Sequence, residues 1–140
     1  MQEELIDGVI TFEADTDGVI VRVQSYFIED QSDPDENQFV WAYRVQIENQ
    51  SEHTVQLMTR HWEITNALGV MTVVDGDGVI GEQPILAPGE SHIYTSGTPL
   101  ETPTGFMGGH YGMRASNGRV FDAKVPHFSL DSPYQEQRVN

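Results

Sequence analysis

Phe39-Val40-Trp41-Ala42-Tyr43-Arg44-Val45-Gln46-Ile47-Glu48 alternates in character along its length. Phe39, Trp41, Tyr43, Val45 and Ile47 fall on one side of an extended chain, with Arg44, Gln46 and Glu48 on the other. Successive side chains of a β-strand point to opposite faces, so a period of two marks a strand with one buried face. A helix would need apolar positions three and four apart, and no window of about a dozen residues in this chain supplies them.

The same pattern extends in both directions from this stretch. Upstream, Val19, Val21 and Val23 alternate with Arg22 and Gln24. Downstream, Val55 and Leu57 begin a strand that Trp62 and Ile64 continue in the opposite phase. One inserted residue moves every later side chain to the other face, so a β-bulge is expected between Leu57 and Trp62. Asp17-Gly18, Asp33–Asn37, Asn66–Gly69, Pro88-Gly89 and Asn117-Gly118 punctuate the runs as turns. Asn117-Gly118 suits a type I′ hairpin, which would pair Tyr111–Ala115 with Val120–Val125.

Strands are therefore expected near 9–14, 19–28, 39–48, 55–65, 70–75, 91–97, 105–114 and 119–125. This reads as an all-β, antiparallel sandwich of about seven or eight strands. Trp41, Tyr43, Val45, Ile47, Leu57, Trp62 and Ile64 should be largely buried. One domain is expected over 1–130, with a frayed tail from 131 to 140 that begins at Asp131-Ser132-Pro133.

Composition narrows the function. The chain has 140 residues and a formal net charge of −15, and Lys124 is its only lysine. Protonating all five histidines would still leave it at −10. Nucleic-acid binding needs basic side chains to replace phosphate counterions, so no direct nucleic-acid role is expected. Anionic membrane surfaces are disfavoured on the same ground. The absence of cysteine removes disulfides, thiolate nucleophiles and thiolate metal sites. The acidic N-terminus and the lack of a long apolar run point to a cytoplasmic protein.

Several segments carry candidate chemistry. Gly76-Asp77-Gly78-Val79-Ile80-Gly81 matches G-x-G-x-x-G, which in a dinucleotide fold needs a strand before it and a helix after it. A strand is plausible at Val70–Val74, but Pro84 and Pro88-Gly89 preclude the helix. An anion nest built from Gly76, Gly78 and Gly81 is the alternative, opposed by Asp75, Asp77 and Glu82 with no basic residue nearby in sequence. A structural loop with positive φ at all three glycines is the better reading. Asp30, Asp33, Asp35 and Glu36 offer oxygen ligands for a weak divalent-cation site, without the spacing of an EF-hand. The five histidines are scattered, though distant strands could bring two together. No serine carries a nucleophile-elbow signature, and Ser96-Gly97 reads as a turn, so no enzyme activity and no cofactor are expected.

Read together, these segments resemble the ApaG family, also called the DUF525 domain. The resemblance rests on Glu29–Pro34 leading into Phe39–Tyr43, and on Arg60-His61-Trp62-Glu63-Ile64-Thr65. It rests further on Gly76–Pro84 running into Leu86–Glu90, then Tyr94–Gly97 and Gly105–Met113. It implies a fibronectin-type-III-like sandwich, in agreement with the strand pattern. For function it implies an association with cobalt sensitivity and magnesium efflux, and protein binding in eukaryotic relatives.

The expectation is a non-enzymatic interaction module with a protein partner. Its contact surface would lie around Arg60, His61, Gly78, Val79 and Ile80. Val79 and Ile80 would form either a docking tip or a cap on the core, and Arg60 could equally make an internal ion pair. The alternative is a small-ligand protein that takes a nucleotide or pyrophosphate at the glycine loop or a weakly held divalent metal. Oligomeric state is left open.

Overall fold

The computed structural model describes residues 4–134. Two antiparallel sheets face one another. The first holds β1 (Phe12–Thr16), β2 (Val19–Phe27), β3 (Phe39–Asn49) and β7 (Ser91–Leu100), in the spatial order β1-β2-β3-β7. The second holds β4 (Val55–Asn66), β5 (Met71–Asp77), β8 (Gly105–Ala115) and β9 (Val120–Leu130), ordered β5-β4-β8-β9, with the two-residue β6 (Ile85–Leu86) paired to β4. The expected antiparallel sandwich is therefore present. Its ninth strand is β6, too short to leave a pattern in the sequence.

β3 behaves as its alternation requires. Its odd-numbered residues from Phe39 to Asn49 are buried and its even-numbered ones half-buried. Trp41, Val45, Ile47 and Leu57 are fully enclosed, and Tyr43 and Trp62 nearly so. Ile64 is only partly buried, because it lies toward the open edge of the second sheet. The bulge falls at Met58, where the register between β4 and β8 shifts between Leu57 and Thr59. That extra residue turns Trp62 inward although Leu57, an odd position, is also inward.

Two turns differ from expectation. At Asn117-Gly118, Gly118 alone is left-handed (φ 89), with Gly118 N–H donating to the Ala115 carbonyl and Ala115 N–H to that of Arg119. This is a type I turn closed by a glycine bulge rather than type I′. Asp17-Gly18, with φ of 51 and 90, supplies the positive-φ pair between β1 and β2. Ser96-Gly97 is no turn: both residues sit inside β7, opposite Tyr43 and Ala42.

The outer side of β2 departs from simple alternation. Gln24 is 1% exposed because the segment ahead of β1 folds across it. Its amide donates to Ile6 O and Thr11 Oγ1 and accepts from Ile6 N–H and the Tyr26 hydroxyl. A buried amide with its donors and acceptors satisfied is stable where an unpaired one is costly.

The start of the expected frayed tail is docked. Asp131 O accepts from the Trp41 indole at 2.7 Å, and buried Ser132 donates to Pro103 O at 2.6 Å. Tyr134 packs edge-on against Phe27 at 5.8 Å and donates to Glu29. The rest of that expected tail, 135–140, lies outside the described residues. Among the described residues no helix is long and apolar enough to cross a membrane.

Candidate functional site

The sandwich is open along one side, where edge strands β5 and β7 belong to different sheets. β4 carries three consecutive inward positions toward that opening: Arg60, Trp62 and Ile64. Their cross-strand partners are Gly76, Val74 and Thr72. Between the sheets lie two adjoining cavities of about 380 and 190 Å³ that share Tyr43, Arg60, Trp62 and Ser96 as walls.

Arg60 is placed by geometry that the sequence hides. A Cβ on Gly76 would stand 2.6 Å from the guanidinium carbon, so only glycine lets the guanidinium lie against this strand. One terminal nitrogen, Nη1, donates to Asp77 O at 2.9 Å and Gly78 O at 3.0 Å. No carboxylate pairs with Arg60 among the described residues, so the internal ion pair considered from sequence is replaced by two carbonyl bonds. A cation therefore does stand beside the glycine loop, 16 residues away in sequence.

The loop itself is a structural turn. Gly78 (φ 63) is followed by Val79, which is 1% exposed and caps the core. Ile80 (φ 48) and Gly81 (φ 73) form the turn that pairs Val79 with Glu82. Gly76 is not left-handed, contrary to expectation. It sits in β5, where space for Arg60 rather than φ demands glycine. The amides of Gly78, Val79 and Glu82 donate to Met58 O, Glu82 O and Val79 O, so much of the proposed nest is used internally. No helix follows. Ile80 is 62% exposed, and a β-branched residue in the left-handed region costs on the order of 1–3 kcal/mol. Of the two residues considered as docking tip or cap, Val79 is the cap and Ile80 the exposed tip.

Three tyrosines stand behind the guanidinium. The Tyr94 and Tyr111 hydroxyls are 2.5 Å apart. Burial raises the pKa of Tyr43, Tyr94 and Tyr111, while the charge on Arg60 opposes the rise at each. All three are neutral hydroxyls at physiological pH, suited to hydrogen bonding rather than proton transfer.

His61 lies on the other face of β4 and is separated from Arg60 by the sheet. Its Nδ1 is 2.7 Å from Asp75 and its Nε2 is 3.1 Å from Glu63, and its ring stacks on His110 at 4.8 Å. Hydrogen bonding to Asp75, then to Glu63, holds its pKa above the usual value. The charged ring donates to both carboxylates, so this stabilisation is complete below the unfolded pKa and is lost as pH rises through the folded one. An NMR titration should place the His61 midpoint above about 6.5, and Asp75→Asn should lower it. The stability difference between wild type and Asp75→Asn should be greatest below about pH 6.5 and shrink as pH rises through the folded His61 midpoint, from a value no larger than about 1 kcal/mol. An unperturbed midpoint in the wild type would refute the pairing.

The acidic loop Asp30, Asp33, Asp35 and Glu36 is exposed. Among the described residues no three His, Cys, Asp or Glu side chains converge in a way that could hold a metal ion.

Comparisons with known proteins agree along most of the chain. The DUF525 (ApaG domain) family model matches residues 29–115. Protein ApaG of Paramagnetospirillum magneticum is 52% identical over 125 residues, covering 89% of this chain and 96% of the relative. Protein ApaG of Rhizobium meliloti is 52% identical over 129 residues, covering 92% and 99%. The crystal structure of a Bordetella pertussis protein described as ApaA superposes with a TM-score of 0.80 at 43% identity, over 82% of this chain and 94% of that one.

Proposed function

The chain belongs to the ApaG domain family, and from that premise we propose that it is a non-enzymatic interaction module that binds an extended segment of another protein along β5. The observation that carries this reading is an apolar edge strand left open on both faces. Met71 is 55% exposed and Val73 47%, and Val70, Val74 and Ile80 are also exposed.

The backbone supports the same reading. Asn66 N–H donates to Val70 O at one end of the β4–β5 ladder and Gly78 N–H to Met58 O at the other. Antiparallel pairs alternate between bonded and unbonded. The amides of Met71, Val73 and Asp75 therefore point to the open edge, where a partner strand would add main-chain hydrogen bonds. Native edge strands are commonly guarded by lysine or proline, and β5 has neither.

Charge selects the partner. Asp75, Asp77 and Glu63 flank the apolar residues, and the whole chain carries −15. A second copy would bring like charges together, whereas a segment alternating apolar and basic residues is complementary. The cobalt and magnesium association implied by the family resemblance is the physiological setting in which such a partner would act.

Selection of random peptides on the intact protein tests this reading. Enriched sequences should alternate apolar with Lys or Arg, and Val73→Lys should weaken them at least about tenfold, or about 1.4 kcal/mol. Val73 is half exposed, so that variant should keep its melting temperature. Peptides indifferent to Val73→Lys, or no enrichment, would remove the proposal.

A further inference from the structure

The cleft behind β5 has a chemistry separate from the strand edge. Of the guanidinium nitrogens of Arg60, only Nη1 has protein partners among the described residues. Nε and Nη2 make no such bond, and neither is sealed from solvent. Arg60 walls both cavities. With one face of the guanidinium against Gly76 and Nη1 taken, the remaining Nε–Nη2 edge is the fork that receives a carboxylate side-on.

We infer that this cleft binds a carboxylate-bearing ligand, its carboxylate on the Nε–Nη2 edge of Arg60 and an apolar body along Trp62, Val74 and Leu100. Three observations support this assignment. Among the described residues Arg60 has no counter-ion in a strongly acidic chain, so its charge is left for an external anion. Tyr43 and Ser96 line both cavities, and their hydroxyls, hydrogen-bonded to one another, form a neutral polar pair on the wall that Arg60 shares. The larger cavity, of about 380 Å³, continues from Arg60 between Trp62 and the inner face of β5, which is room for an apolar body.

A single guanidinium, set in a chain of net charge −15, favours one negative charge over two. That selects a carboxylate rather than a phosphate dianion. The carboxylate could belong to a free organic acid or to the C-terminus of a peptide, and the two sources present the same group.

The test is an NMR titration of the full chain that follows the Arg60 Nε–H and the Trp62 indole. The probes are phenylbutyrate, its uncharged amide, and a short apolar peptide with either a free or an amidated C-terminus. Phenylbutyrate should shift both signals saturably, and its amide should bind at least about tenfold more weakly. If only the free-terminus peptide saturates, the source is a peptide end; if only phenylbutyrate does, it is a free acid.

Arg60→Lys keeps the charge and loses the fork, so it should weaken binding at least about tenfold. If that variant fails to fold, Val74→Trp fills the cleft and leaves Arg60 in place, and it should abolish binding. Equal binding of acid and amide, retained binding in folded Arg60→Lys or in Val74→Trp, or no saturation by any carboxylate would overturn the assignment. Val73→Lys lies on the opposite face of β5 and should leave carboxylate binding unchanged, which separates this outcome from that of the peptide-docking test.

Discussion

Gly109→Ala should lower the melting temperature by about 10–20 °C, the largest effect of any single methyl group added to this fold. Gly109 lies in β8 opposite Trp62, next to the register shift between Met107 and Gly109 in the β8–β9 ladder. A Cβ there would stand 1.8 Å from the carbonyl oxygen of His61 and 3.2 Å from Cα of Trp62. Both atoms are backbone of the paired strand and cannot rotate away. β8 must separate from β4 locally, losing ladder hydrogen bonds worth about 1 kcal/mol each and disturbing the packing of Trp62. Overpacking alone costs about 1–3 kcal/mol, so the combined penalty is about 3–5 kcal/mol.

Gly108→Ala is the internal control. Its Cβ would have ring atoms of His127 as its nearest neighbours, at 2.8 Å and beyond, and that exposed side chain is free to turn aside. That variant should lose no more than about 1 kcal/mol. Thermal melts followed by circular dichroism compare the two directly, and equal losses would refute the steric argument.

Trp41→Ala should destabilise by about 3–5 kcal/mol, the usual range for deleting an enclosed aromatic ring. Trp41 is fully buried in mid-sandwich, with Phe27 edge-on at 5.5 Å. Its indole also holds Asp131 O, and through it the chain that seats Ser132 and Tyr134. Trp41→Phe separates the two roles, because it keeps most of the ring and removes the N–H. It should cost about 0.5–1.5 kcal/mol, the usual net worth of one hydrogen bond. It should also raise amide hydrogen exchange at Ser132 and Tyr134 while leaving β3 protected. Unchanged exchange at those two amides would show that the Ser132 and Tyr134 contacts hold this segment without the indole bond.

Arg60 shows where legibility in the sequence ended. The phase change after Leu57 placed Trp62 and Ile64 on the inner face, and the same parity puts Arg60 there and His61 outside. The grouping of Arg60 with His61 as one surface therefore overlooked a period already used for Trp62. Its position against Gly76 was another matter, since that pairing depends on the β4–β5 register. The acidity around Gly76–Gly81 was visible from local sequence; the guanidinium beside it was not. Asp75 and His61 meet in the same way, 14 residues apart and adjacent only across the ladder.

The sequence by itself determined the all-β class, the inward face of β3, a bulge between Leu57 and Trp62 and the lack of a helix after the glycine fingerprint. These are local matters: strand period, bulge parity and proline geometry act over a few residues and are written in their order. Tertiary structure alone decided that Gln24 is enclosed, that residues 131–134 dock on Trp41 and that Arg60 faces a cleft with no carboxylate partner among the described residues. Each depends on a contact between segments far apart in the chain, set by how two sheets stack and which edges they leave open. No local pattern encodes that distance, because the partner that satisfies a side chain is chosen only when the sheets come together.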